Sequence, residues 1–290
     1  MSYSIITDAC SDLTPEMVSE LDIVVIPMEL AIESKTYLHY PDCRNLSIKD
    51  FYEQMRQKKV AKTFQVTPET YLKYFEEEYN KQKDILVVAF SSALSGTCNN
   101  AFLARSQFLE KHPDAKVEIF DSLSACGGQG LLVSYVADNR NNKKMSLEEN
   151  LNWLKENTLH LCHRFTVDDL GCLKRGGRLS ATSAFLGTMI GIKPVLHVDN
   201  EGRLIPTDKV RGGIKAMKTI VNYVKTTIVN PEDQVIFLSH ADDIEAANKL
   251  IAMIKEEIPV KDIKLLNFGP IIGAHTGPGA LAVFFLGTER

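Results

Sequence analysis

The 290-residue sequence lacks most of the features that announce a function on their own. Lys and Arg number 33 against 37 Asp and Glu, a formal net charge of -4. It therefore has no surplus of cations of the kind that binding to nucleic acid or to an anionic membrane draws upon. The six cysteines, Cys10, Cys43, Cys98, Cys126, Cys162 and Cys172, form no CxxC pair and no Cys/His spacing suited to zinc, so no metal ligand is expected and the thiols read as reduced. No stretch approaches roughly eighteen uninterrupted apolar residues, and the start MSYSIITDACSD has no basic segment followed by an apolar one. Neither a transmembrane span nor a signal peptide is expected, and a cytoplasmic location follows. There is no Walker A sequence, no HExxH and no GxSxG elbow. The glycines of GGQG at 127–130 lack the third glycine and the acidic partner of a dinucleotide fingerprint, and read as a close-packed helix start. No cofactor is expected.

What is present is an ordinary globular composition, 44% hydrophobic and 24% charged, in a chain long enough for two domains. The stretch DILVVAFSSALSGT, from Asp84 to Thr97, organises the rest. Its apolar run, Ile85 to Ala89 with Phe90, does not alternate and reads as a strand covered on both faces. The run ends in Ser91, Ser92, Ser95 and Thr97, and Cys98, Ala101, Phe102, Arg105 and Leu109 then follow at near-helical spacing. Strand, hydroxyl-rich turn and helix start in series mark the edge where open α/β sheets bind ligands, and free N–H groups at a helix start favour an anion. Ser95 taken alone also reads as a simple helix cap.

The same order recurs at Tyr3 to Thr7, which runs into Asp8, Cys10, Ser11 and Asp12 before Pro15 opens a helix. It recurs again at Val117 to Phe120, followed by Asp121, Ser122 and a helix through Tyr135. Three repeats indicate parallel strands with right-handed crossovers, hence an N-terminal three-layer parallel-sheet domain whose polar tips line a crevice. Strand Ile23 to Ile26, a peripheral hairpin over Glu29 to Leu38, a helix with the stripe Ile48, Phe51, Tyr52 and Met55, a loop KTFQVT at 62–67 and a helix opened by Pro68 complete it. The polar tract Asp138 to Lys144 reads as a surface turn before one more helix.

Beyond about residue 160 the texture changes. Expected are a strand at His160 to Val167, the basic turn KRGGR at 174–178 before a small-residue helix, a hairpin over Lys193 to Ile205, two amphipathic helices starting near Ile214 and Ile244, and strands at 235–238, 263–266 and 281–286. The chain thus divides into an α/β domain at 1–160 and a smaller C-terminal α/β domain at 161–290. Lys174, Arg175 and Arg178 around two glycines suit either a phosphate or a plain solvated turn. His275, in the rigid loop FGPIIGAHTGPG, suits either a structural role or a ligand contact.

With these residues assembled, the chain resembles the DegV family over essentially its whole length. The resemblance is carried by IITDACSDLTPE, FSSALSGT, DSLSACGGQG, LKRGGRLS, IKPVLHVDNEGRL with KVRG, and FGPIIGAHTGPG. It implies a long-chain fatty acid held between two domains and presented to a separate fatty-acid kinase subunit, which makes the acyl phosphate, with at most transient membrane contact for lipid exchange. Carried over motif by motif, the carboxylate contacts implied are Thr63, Ser92 and His275, with Gly96, Arg178 and Arg211 as further candidates. Phe64, Val66 and Thr67 depart from the family's common loop, as do Ala9, Cys10 and Cys98 from its common residues. The protein is then a lipid carrier without turnover of its own. The rival is a small-molecule hydrolase or transferase using Ser92 and His275, against which stand the missing nucleophile elbow and the lack of an acidic partner to orient the histidine.

Overall fold

The computed structural model describes residues 3–179 and 191–290. The chain runs β1 (Tyr3–Asp8), α1 (Pro15–Glu20), β2 (Ile23–Ile26), β3 (Met28–Ile32), β4 (Lys35–His39), α2 (Ile48–Arg56), β5 (Ala61–Thr63), α3 (Pro68–Tyr79), β6 (Asp84–Ala89), α4 (Thr97–Lys111), β7 (Val117–Asp121), α5 (Cys126–Asn141) and α6 (Leu147–Asn157). It continues through β8 (Leu161–Thr166), α7 (Leu170–Arg175), β9 (Ile192–Val198), β10 (Leu204–Arg211), α8 (Gly213–Thr227), β11 (Val235–His240), α9 (Ile244–Glu257), β12 (Asp262–Asn267), α10 (Pro270–Thr276) and β13 (Leu281–Leu286).

The first sheet is parallel, in the order β2-β1-β6-β7, with Ile5 opposite both Ile23 and Leu86. Ile85 to Ala89 are each no more than 1% exposed, as an unbroken apolar run requires of a strand covered on both faces. The second sheet has the order β10-β9-β8-β13-β11-β12 and is antiparallel except for the pair β11 and β12. A small antiparallel ribbon, β4-β3-β5, follows β2 in the chain and packs against α10. The fold is therefore mixed α/β, as the periodicities imply.

Helix α5 joins the sheets. It packs against β1 and β6 of one and β8, β11 and β13 of the other, so it is buried on nearly all sides. That position explains the glycines at its start. A Cβ on Gly127 would stand 2.8 Å from the Phe284 ring, and one on Gly130 would stand 2.5 Å from the Ser11 carbonyl oxygen. Several helices start where side-chain oxygens meet free N–H groups: Thr14, Ser47, Thr67 and Ser146 each accept from the backbone N–H three residues on, and Ser146 with Glu149 forms a full capping box.

Three segments differ from expectation. The Asn-rich tract expected as a surface turn continues α5 to Asn141, because its polar side chains are used inward: Asn139 Nδ2 donates to Asn150 Oδ1 at 3.0 Å, and Arg140 donates to the carbonyls of Tyr3 and Leu21 at 3.1 and 2.7 Å. The loop KTFQVT begins as strand, with Thr63 paired to Leu30. The rigid loop around His275 is the helix α10, opened by Pro270 in its first position, where a missing N–H costs nothing. The small-residue helix expected after KRGGR lies outside the described residues. Among the described residues no helix is long and apolar enough to cross a membrane, and no group of three or more metal-ligating side chains converges.

Candidate functional site

The polar tips at the carboxyl ends of β1, β6 and β7 come together, but most of them are spent on one another. Asp8 is fully buried; its Oδ1 accepts from the Cys10 N–H at 3.0 Å, and its Oδ2 accepts from the Phe90 N–H at 2.9 Å and from Gln129 Nε2 at 3.1 Å. Burial raises its pKa from the ordinary aspartate value despite these donors. Thr7 Oγ1 donates to the Val88 carbonyl at 2.8 Å and Ser91 Oγ to that of Gly202 at 3.0 Å. The expected hydroxyl-lined crevice is thus largely a hydrogen-bonded floor, in which Thr7 and Ser91 find partners in neighbouring segments while Ser11 Oγ has none among the described residues.

Over this floor lies a cavity of about 370 Å³. Its wall is mostly apolar and is drawn from both sheets, including Met28, Phe90, Leu94, Phe165, Ile271 and Phe284. One end is polar, built from Thr63, Gln65, Ser95, Gly96, Arg178 and His275. Thr63 Oγ1 lies 2.8 Å from His275 Nε2, joining the last residue of β5 to the last turn of α10. Ser95 Oγ is 3.0 Å from Thr97 Oγ1 and accepts from the Thr97 N–H, at the first turn of α4. Arg178 Nε donates to the Leu94 carbonyl at 3.0 Å, and its Nη1 donates to the Gly176 carbonyl, which holds the guanidinium against the cavity.

Burial, with the Arg178 charge adding to it, lowers the His275 pKa to about 4. At neutral pH the fixed cation of this end is Arg178, while His275 is a neutral hydrogen-bonding group, because both burial and a neighbouring cation oppose its charge. The KRGGR turn has a steric role besides its charge. A Cβ on Gly176 would lie 2.3 Å from His275 Nδ1, so only glycine lets α7 end this close to the imidazole, and the next residue, Gly177, has φ +69°.

The structure separates the serines of FSSALSGT. Ser92 is exposed, does not line the cavity, and uses its N–H to donate to Asp121 Oδ1 at 3.2 Å. The cavity meets Ser95 and Gly96 instead, because the turn closed by the N–H groups of Leu94 and Ser95 on the Ser91 carbonyl points Ser92 outward. Gly96 brings the α4 N-terminus against the Gln65 side-chain amide, where a Cβ would stand 2.0 Å from Oε1. Arg211, at the end of β10 beside Ile192, is exposed and is not among the residues that line the cavity. Sequence reasoning missed Ser95 as the inward serine, Gln65 as a lining residue and Gly176 as the seat of His275. The spacing SSxxSG held the first of these, but two serines three positions apart are told apart only by the turn between them.

Thr63, His275 and Arg178 also border an outer groove of about 860 Å³. Its lining includes Arg56, Lys58, Lys59, Lys62 and Arg175 together with Asp168 and Asp169, and Asp169 forms an ion pair with Arg175 at 4.0 Å. The polar end of the cavity is therefore a wall shared between an apolar interior and a cationic exterior.

The family described as an uncharacterised protein of the DegV family matches residues 2–288. A DegV domain-containing protein of Clostridium perfringens is 44% identical over 288 residues, covering 99% of this chain and 98% of its own. Among solved structures, a DegV family protein from Ruminococcus gnavus described with vaccenic acid has a TM-score of 0.88 at 25% identity, over 98% of this chain and 99% of its own. DegV of Bacillus subtilis, described as a fatty acid binding protein, has a TM-score of 0.82 at 29% identity over 98% of each chain. With near-complete coverage on both sides and a shared two-sheet fold, this chain belongs to the DegV family.

Proposed function

We propose that the protein binds a long-chain fatty acid, with the alkyl chain in the apolar cavity and the carboxylate at the end formed by Thr63, Ser95, Gly96, Arg178 and His275. The observation that carries this reading is the shape of the site: an apolar cavity closed at one end by neutral donors and one fixed cation. Structural neighbours described as fatty acid binding proteins support it. A buried carboxylate needs hydrogen bonds, and hydroxyls, helix-start N–H groups, an imidazole N–H and a guanidinium supply them. Removing roughly fifteen methylenes from water at ~0.8 kcal/mol each contributes about 12 kcal/mol, against an association cost of roughly 4–15 kcal/mol. The tail thus supplies affinity, and the head-group contacts set orientation.

We further propose that the bound carboxylate is presented through the outer groove to a separate kinase, which transfers a phosphoryl group to it. The cations of the rim suit a nucleotide's phosphates and the acyl phosphate formed. The hydrolase alternative finds little geometry: Ser92 faces solvent, His275 is bonded to Thr63, and among the described residues no carboxylate is hydrogen-bonded to the imidazole. Organic extraction and mass spectrometry of the purified protein should return a long-chain fatty acid. Absence of one, together with no uptake of palmitate or oleate by delipidated protein, overturns the reading.

A further inference from the structure

Strand β5 leads into a short strap that borders the polar end of the cavity and is tied down on both sides of one residue. Before that residue, the Phe64 N–H donates to the Glu29 carbonyl at 2.9 Å. After it, the Val66 N–H donates to Thr97 Oγ1 at 3.3 Å, and Asn100 Nδ2 donates to the Val66 carbonyl at 2.8 Å. The strap and the first turn of α4 are thus bonded together, and the residue between the ties, Gln65, is held close to Gly96. Gln65 is exposed and its side chain lies against that glycine, where a Cβ would stand 2.0 Å from Oε1 and 3.5 Å from Nε2. Among the described residues its amide has no hydrogen-bond partner, although it borders both the polar end and a side groove of about 530 Å³.

The neighbours of this amide already carry bonds. Thr63 and His275 meet each other, Ser95 meets Thr97, and Arg178 spends Nε and Nη1 on carbonyls. The Gln65 amide can turn its two N–H donors to a ligand without breaking anything, because the last torsion of a glutamine is broad and its two ends are of similar size. A donor facing an ionised acceptor forms one of the stronger hydrogen bonds. Gly96 has φ -72°, a value open to any residue, so the backbone does not require glycine there, whereas the amide that lies over it does.

Resting on the fatty-acid reading above, we infer that Gln65 is a head-group residue: its Nε2 donates to the bound carboxylate, and Gly96 is the seat that lets the amide lie over it. The contact makes the site prefer an ionised acid to an uncharged chain of the same length. It also closes the strap side of the polar end, since an amide bonded to the carboxylate is no longer free to swing into the side groove.

The test compares palmitate with hexadecanol, which has the same chain length and no carboxylate, by displacement of a fluorescent fatty acid from delipidated protein at pH 8. The native protein should prefer palmitate. Gln65→Ala, a change at an exposed position, should lower that preference about tenfold by weakening palmitate alone, as expected for one hydrogen bond to an ionised acceptor. Gln65→Glu keeps the shape, adds a negative charge and should lower it further. Gly96→Ala, whose methyl would push the amide away, should behave as Gln65→Ala does, and combining the two should add little. An unchanged preference in Gln65→Ala, or equal weakening of palmitate and hexadecanol as a merely structural role would give, overturns the inference and leaves fatty-acid binding intact. A further loss when Gly96→Ala is added to Gln65→Ala breaks the link between the two residues and overturns it as well. If neither palmitate nor hexadecanol displaces the probe from the native protein, the fatty-acid reading falls and takes this inference with it.

Discussion

Thr63 Oγ1 and His275 Nε2, 212 positions apart in the chain, meet at 2.8 Å on the wall between the apolar cavity and the cationic groove. The contact depends on β5 pairing with β3 on one side and on α10 opening at Pro270 on the other. It gives the His275 ring a defined orientation, with Nδ1 turned to Gly176.

Thr63→Val keeps the shape of the side chain and removes its hydroxyl. The loss should cost on the order of 1–3 kcal/mol of carboxylate stabilisation. Lipid content after extraction should change little, because the tail supplies the affinity, while acyl-phosphate formation with a cognate kinase should fall by about one to two orders of magnitude. Equal rates for matched, lipid-loaded native and variant protein would place the carboxylate elsewhere.

Ser95 and Ser92 give a paired test. Ser95→Ala should weaken carboxylate positioning as Thr63→Val does, and Ser92→Ala should behave as native, because Ser92 is exposed and bonds through its backbone N–H. The reverse pattern in kinase-coupled turnover would mean that the loop turns over when lipid binds.

Gly176→Ala and Gly177→Ala separate two demands on one turn. The methyl at 176 would collide with His275 Nδ1, so this variant should fold and lose head-group function. At 177 nothing lies within 4 Å of a Cβ, but φ is +69°, so alanine should cost roughly 1–2 kcal/mol of stability and leave the site intact. Thermal unfolding together with kinase-coupled turnover reads both effects.

The protonation of His275 supplies a pH test. Its pKa drops from an ordinary 6.5 to about 4 in the folded lipid-free protein, so between these values the unfolded chain binds the proton more readily. Stability should therefore fall as pH drops from 6.5 toward 4, and His39, lowered to about 4 by burial, adds to the same trend. A carboxylate bound beside His275 favours the imidazolium, so NMR titration should show a higher pKa in lipid-loaded protein. Arg178→Gln should raise it as well, by removing the neighbouring cation. An unchanged His275 pKa in both cases would detach this residue from the head-group site.

Local order was written in the sequence. The unbroken run Ile85 to Ala89 specified a strand covered on both faces, Pro15 and Pro68 opened helices, and three repeats of strand, polar tip and helix specified a parallel sheet. These follow from side-chain period, caps and proline, which act within a few residues. The motifs also named loops that line the cavity. What they left open was which members of each loop face inward and in what charge state. Ser92 and Ser95 are alike in composition and differ only in the direction the turn gives them. His275 is neutral because burial and Arg178 act on it together, and Arg178 arrives from a segment 97 positions away. His163 sits in a strand like any core residue, and its ring fits against α5 only because Gly128 there has no side chain. Desolvation and close approach are properties of assembled surfaces, so only the tertiary structure decided them.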